Sequence, residues 1–181
     1  MEGMAAKIPV EGETKTATVM TFGFDAKISA WSPYHGAIDA ITSSLAKLTA
    51  MGADFSKAYL SFQEYFERLE KIPEKWGKPF VALLGAFKAQ KQFEVAAIGG
   101  KDSMSGTFEN LNVPPTLVSF AVAVCDADKI ISPEFKMSGN KVYLADCPRD
   151  KFSVPKFSEL KNKFAKVHEY ICEGKIISAM S

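Results

Sequence analysis

Hydrophobic and polar positions change period several times along the chain, and each change predicts an element. Residues 16–24 (TATVMTFGF) are rich in β-branched and aromatic types and predict a strand. Ser32 and Pro33 then offer a helix entry, as N-cap and first helical residue. Ala37, Ile41, Leu45 and Leu48 recur every three or four residues and Gly52 supplies a stop, which predicts a helix of about four turns. In 61–70 (SFQEYFERLE), Phe62, Tyr65 or Phe66, and Leu69 share one helical face, predicting a short amphipathic helix. The prolines and glycine of 72–79 predict a break, after which 79–92 restarts a helix with Phe80, Leu83, Leu84 and Phe87 facing inward.

Residues 93–98 predict a return to the sheet, followed by an open glycine turn and a second strand. That strand, 117–125, alternates Val118, Phe120, Val122 and Val124 on one face with the small Ser119, Ala121 and Ala123 on the other. A small-residue face lets a helix or another sheet approach closely. Residues 126–139 read as a polar connection and 141–147 (KVYLADC) as a strand. Helical spacing of Phe157, Leu160, Phe164, Val167 and Ile171 predicts a helix over 154–172, stopped by Gly174, with His168 at its surface edge.

Composition narrows the class. With 47% hydrophobic and 24% charged residues in 181, the chain has the profile of a soluble globular protein. A net charge of +1 gives no electrostatic footprint for nucleic acid or an anionic membrane. No apolar run approaches a membrane span, and the first residues lack the apolar core of a secretory signal. Cys125, Cys147 and Cys172 are an odd number without metal-ligand spacing, which predicts reduced thiols in a cytoplasmic protein. His35 and His168 lie too far apart in sequence to suggest a histidine metal cluster.

Chemistry concentrates in 97–107 (AIGGKDSMSGT), where Gly99 and Gly100 precede Lys101, Asp102 and Ser103. Glycines can turn backbone N–H groups toward an anion, and Lys101 adds a positive charge. The spacing excludes a Walker A loop, because Asp102 follows the lysine where Ser or Thr is required. The alternative is an ordinary glycine-rich connection with solvated charges. Asp39, Ser43 and Lys47 stand at i, i+4 and i+8 on the first long helix, either as a solvated face or as a binding row.

The run GGKDSMSGTFENLNVPPTLVSFAVAV, preceded by SPYHGAIDAITSSLAKLTAMGAD and LSFQEYFERLEKIPEKWGKPFVALLGA, resembles the phosphoribosylformylglycinamidine synthase (formylglycinamide ribonucleotide amidotransferase) family in its long single-chain form. The likeness extends over about 16–147. It implies an α+β fold of the aminoimidazole ribonucleotide synthetase type, a mostly antiparallel sheet flanked by helices, in which two such units pair across their sheets. It divides the chain into a mobile N-terminus (1–15), a synthetase-like N-terminal domain (16–136) and the start of an α/β C-terminal domain (137–181). It also implies that this is a piece of a longer ATP-dependent ligase, inactive alone, which forms formylglycinamidine ribonucleotide from formylglycinamide ribonucleotide, ATP and glutamine.

The same resemblance assigns nucleotide or phosphate contacts to Gly99, Gly100, Lys101, Ser103, Ser43 and Lys47, and leaves Asp102 either to contact a metal or to orient Lys101. ATP or ADP and Mg²⁺ are the implied cofactors. The implied partners are the remaining synthase domains, including the glutaminase domain, and a second copy through the sheet. Within the family's helix pattern, Pro33, Tyr34, Gly36 and Ala37 match, while Ser43 replaces a glycine and Lys47 replaces the magnesium-binding aspartate. An ammonium cannot ligate Mg²⁺. That substitution points to the pseudo-symmetric half, where the family holds a nucleotide that does not turn over. A structural ADP-binding, domain-pairing module is the alternative function.

Overall fold

The computed structural model describes residues 3–181. Its strands are β1 (Gly3–Lys7), β2 (Thr16–Gly23), β3 (Tyr59–Tyr65), β4 (Ala96–Ser103), β5 (Thr107–Phe108), β6 (Leu111–Asn112) and β7 (Thr116–Asp126). Its α-helices are α1 (Ala26–Trp31), α2 (Pro33–Ala50), α3 (Pro73–Phe93) and α4 (Phe157–Cys172). A mainly antiparallel five-stranded sheet runs in the order β1-β2-β7-β3-β4, and β5 and β6 form a separate hairpin. The α+β class expected from the sequence is the class observed. Two compact units divide the chain: residues up to Thr21 with Leu45–Ala58 and Val122–Ser181, and Phe22–Ser44 with Tyr59–Ala121.

In the second unit, α3 carries the chain from β3 over to β4, so β3 and β4 pair in parallel from Tyr59↔Ala96 to Tyr65↔Ser103. A bulge between Leu60 and Ser61 skips Ile98. The helix expected over 61–70 is therefore strand β3. Its side chains alternate, with Leu60, Phe62 and Glu64 buried and Tyr59 and Tyr65 exposed, and pairing with β4 selects that period over the helical one. The break expected at 72–79 is absent, because α3 begins at Pro73 and continues through the buried Pro79. An interior proline costs about 3 kcal/mol of helix stability, which the close packing of Ala82, Gly85, Ala86 and Ala89 offsets.

The faces of α3 are also reversed from expectation. Small residues are buried, whereas Phe80, Leu83, Leu84 and Phe87 point outward. The reason is proximity: a Cβ at Gly85 would lie 2.2 Å from the Tyr34 carbonyl oxygen of α2, so no large side chain fits beneath α3. Helix α1 is capped by Asp25, whose carboxylate accepts from the Lys27 and Ile28 N–H groups at 2.8 Å each. Ser44 on α2 meets Ser119 on β7 at 3.0 Å, a buried hydroxyl pair between helix and sheet.

In the first unit, β1 pairs antiparallel with β2 from Gly3↔Thr21 to Lys7↔Ala17, so part of the stretch expected to be mobile is a strand. Helix α4 anchors through Phe164, whose ring meets Phe55 edge-on at 5.5 Å. His168, expected at the surface, is half-buried; its Nδ1 lies 3.1 Å from the Gly52 carbonyl oxygen and donates there. Lys129 Nζ donates to the Cys172 carbonyl at 2.9 Å on the same helix. The strand expected over 141–147 does not form: Val142, Tyr143 and Leu144 are exposed, and an apolar run without a partner edge gains nothing from extension.

The strands also turn large side chains away from the helices. On β7 the small Ser119, Ala121 and Ala123 are buried while Phe120 and Val124 are exposed, and on β2 the exposed pair is Met20 and Phe22.

Candidate nucleotide-binding site

Gly99, Gly100, Lys101, Asp102 and Ser103 all lie within β4, opposite Ser61, Phe62, Gln63, Glu64 and Tyr65. The open glycine turn expected here is thus an extended strand. Parallel pairing uses the backbone groups on one side of β4, and because β4 ends the sheet its other edge is a row of main-chain donors and acceptors. The two glycines differ in role. A Cβ at Gly100 would lie 2.3 Å from the Phe62 carbonyl oxygen, so that residue must be glycine for the strands to meet. A Cβ at Gly99 would meet nothing within 4 Å.

Strand alternation separates the neighbouring charges. Lys101 extends over the ring of Tyr65, with Nζ 5.2 Å from the centroid, a cation–π contact that holds the ammonium on the open face. Asp102 belongs to the other face, beside Glu64. Glu64 is only 6% exposed. Burial first, and the Asp102 charge second, raise its carboxyl from 4.5 to about 7. Ser103 closes the strand: its carbonyl accepts from the Phe66 N–H at 2.8 Å and its Oγ lies 3.2 Å from Ser105 Oγ.

Asp39, Ser43 and Lys47 form the half-open stripe of α2, whose other faces are largely buried. The adjacent Ser44 carries the structural hydrogen bonds, to the Ile41 carbonyl and Ser119, leaving Ser43 to the stripe. Lys47 sits in the last turn, where a cation complements the helix dipole. The structure therefore gathers Gly99 through Ser103 on one sheet edge and carries Ser43 and Lys47 on a different element. Glu64 and Tyr65 complete the surroundings of the β4 residues, and sequence reading missed both by placing them on a helix. The available signal was a lone acid alternating with apolar residues at strand period.

Among the described residues no group of three or more His, Cys, Asp or Glu side chains is placed to hold a metal. Asp102 and Glu64 supply two carboxylates, a donor set that suits Mg²⁺ only when phosphate oxygens and water complete it. A cleft of about 400 Å³ is lined elsewhere, by Arg68, Lys75, Thr107, Asn112 and the acids Glu70 and Glu109 among others. Its mixed charges give no anion preference. No helix is long and apolar enough to cross a membrane among the described residues.

No protein-family model matches the sequence, and no curated protein does. Solved structures do. Phosphoribosylformylglycinamidine synthase II from Thermotoga maritima matches over 96% of this chain and 26% of its own, with a TM-score of 0.70 and 14% identity. The T. maritima PurL complex with AMPPCP gives a TM-score of 0.75 and 16% identity, again over 96% of this chain and 27% of that one. T. maritima PurLQS matches over 72% of this chain and 21% of its own, at 0.58 and 18% identity. The chain thus spans about a quarter of the length of these structures, and it has the fold of one segment of phosphoribosylformylglycinamidine synthase II.

Proposed function

We propose that the chain is a nucleotide-holding segment of a cytoplasmic ligase that makes formylglycinamidine ribonucleotide, and that it does not aminate substrate alone. The observation that carries this reading is the fold likeness over 96% of the chain to PurL, whose structures include complexes with ATP, AMPPCP, ADP and FGAR. The GGKDSMSG run supplies the chemistry. The parent reaction consumes formylglycinamide ribonucleotide, ATP and glutamine and releases ADP, phosphate and glutamate. Lys101 and an outer-edge N–H of the Gly99–Gly100 pair, whose two N–H groups face opposite edges of the strand, would take phosphate charge, with Ser103 donating a hydroxyl. Asp102 with Glu64 would hold Mg²⁺ together with nucleotide oxygens. Ser43 and Lys47 would contact phosphate from α2, Lys47 as a point charge and not a metal ligand.

The remaining synthase domains, among them a glutaminase domain that releases ammonia, are the proposed partners. Exposed apolar side chains on the strands, Phe22 and Phe120 in one unit and Met20 and Val124 in the other, support pairing with a like domain or a second copy. Calorimetric titration with ADP, with and without Mg²⁺, tests the nucleotide assignment: binding is expected, weakened about tenfold or more by Lys101→Ala. An amination assay with free ammonia, ATP and formylglycinamide ribonucleotide tests the rest, and no turnover is expected. Turnover by this chain would refute its dependence on other domains, and failure to bind ADP would remove the nucleotide role. Lys47 favours a second reading, a structural ADP site that never hydrolyses its ligand; release of unchanged ATP after prolonged incubation supports that reading.

A further inference from the structure

We propose that the outward face of α3 is a docking site for a partner helix whose apolar seam is edged by carboxylates. Amphipathic helices bury their large apolar residues and expose polar ones. Helix α3 does the opposite: Trp76, Phe80, Leu83, Leu84 and Phe87 are exposed, Phe80 at 63% and Phe87 at 62%. Spacings of four, three and four residues along Trp76, Phe80, Leu83 and Phe87 align these side chains in one stripe of three turns, about 16 Å long. Such a stripe is the ridge that another helix packs against. It lies on the helix that directly precedes β4 and includes none of the residues of the nucleotide assignment.

Charge selects the partner. Helix α3 carries Lys75, Lys78, Lys88 and Lys91 against a single acid, Glu74. Lys75 and Lys78 are neutralised at the N-terminal end by Glu67 and Glu70. At the C-terminal end, Lys88 and Lys91 lie along one edge of the stripe, with no acid on the helix near them and Glu94 just past its end, and Lys91 Nζ rests 6.0 Å from the Phe87 ring centroid. A second copy of α3 packed in parallel would bring its own lysines against these, which like-charge repulsion opposes, and one packed antiparallel would offer the two ammonium groups only Glu74 from its helix. A helix with Leu or Phe knobs and Glu or Asp on its edges would cover the aromatic rings and pair both ammonium groups.

The test uses the full chain with Trp31→Phe, so that emission reports Trp76. Two synthetic amphipathic helical peptides share one leucine seam and differ only in edges of Glu or Lys. The Glu-edged peptide is expected to shift Trp76 emission to the blue and to bind at least tenfold tighter than the Lys-edged one. K88E/K91E should invert that preference without loss of fold, and F80D/F87D should abolish binding with an unchanged circular-dichroism spectrum. Equal affinity for the two peptides, no binding of the Glu-edged one, or no inversion by K88E/K91E overturns the proposal. So does sedimentation showing a dimer that F80D/F87D dissolves, which would make a second copy the occupant.

Discussion

A methyl group at position 100 would enter the space of the Phe62 carbonyl oxygen, so Gly100→Ala is expected to cost about 2 kcal/mol or more. Gly99→Ala, next to it in open space, should change stability by less than about 0.5 kcal/mol. Thermal denaturation of both variants distinguishes a glycine required by strand contact from one that is not. Glu64 gives a pH signature. Its carboxyl titrates near 7 when folded and near 4.5 ordinarily, so the native state holds the extra proton between those values. Stability therefore falls as pH rises through that window, by at most about 3 kcal/mol. Glu64→Gln should flatten the fall and be the more stable form at pH 8, as read by urea unfolding at pH 5 and pH 8. An identical fall in both proteins would sink the assignment. Lys101, Asp102 and Ser103 were legible as candidates because a cation, an acid and a hydroxyl follow two glycines. Glu64 was not, because its burial is set by a partner strand distant in sequence.

Helix α3 contains two glycines that contrast in the same way. Gly85→Ala gains about 1 kcal/mol of helix propensity but drives a Cβ to 2.2 Å from the Tyr34 carbonyl oxygen, an overpacking cost of about 1–3 kcal/mol. A net loss is expected, with lowered melting temperature. Gly77→Ala meets nothing within 4 Å and should stabilise by about 0.5–1 kcal/mol. At this scale α2, α4 and β7 were readable, since their apolar spacing fits one period only. The segment at β3 fits both a helix and a strand, and the decision came from its register with β4. The facing of α3 was read backwards because size alone favours aromatics inside, whereas closeness to α2 admits only small residues. For 141–147, composition favoured a strand that finds no neighbour to pair with.

For the molecule as a whole, no helix among the described residues is long and apolar enough to cross a membrane, and the three resembling segments anticipated the α+β fold that the solved structures share. What sequence could not supply was which apolar residues stay outside, because those are fixed by whatever meets the protein later. If two copies pair through the sheet, Phe120→Asp should shift sedimentation from dimer to monomer while altering melting by little, since Phe120 is exposed. A wild-type monomer across the accessible concentration range would exclude self-pairing and leave a like domain of the parent protein as the counterpart.

The two sides of β7 cannot trade places. Sliding it one residue against its neighbours would aim the benzyl group of Phe120 into a slot sized for the methyl of Ala121 and lift Ser119 away from Ser44. Misaligned chains would be refused at the moment of collapse, before any ligand is present. A single-residue insertion or deletion within this strand should therefore abolish soluble yield more completely than any side-chain replacement in it.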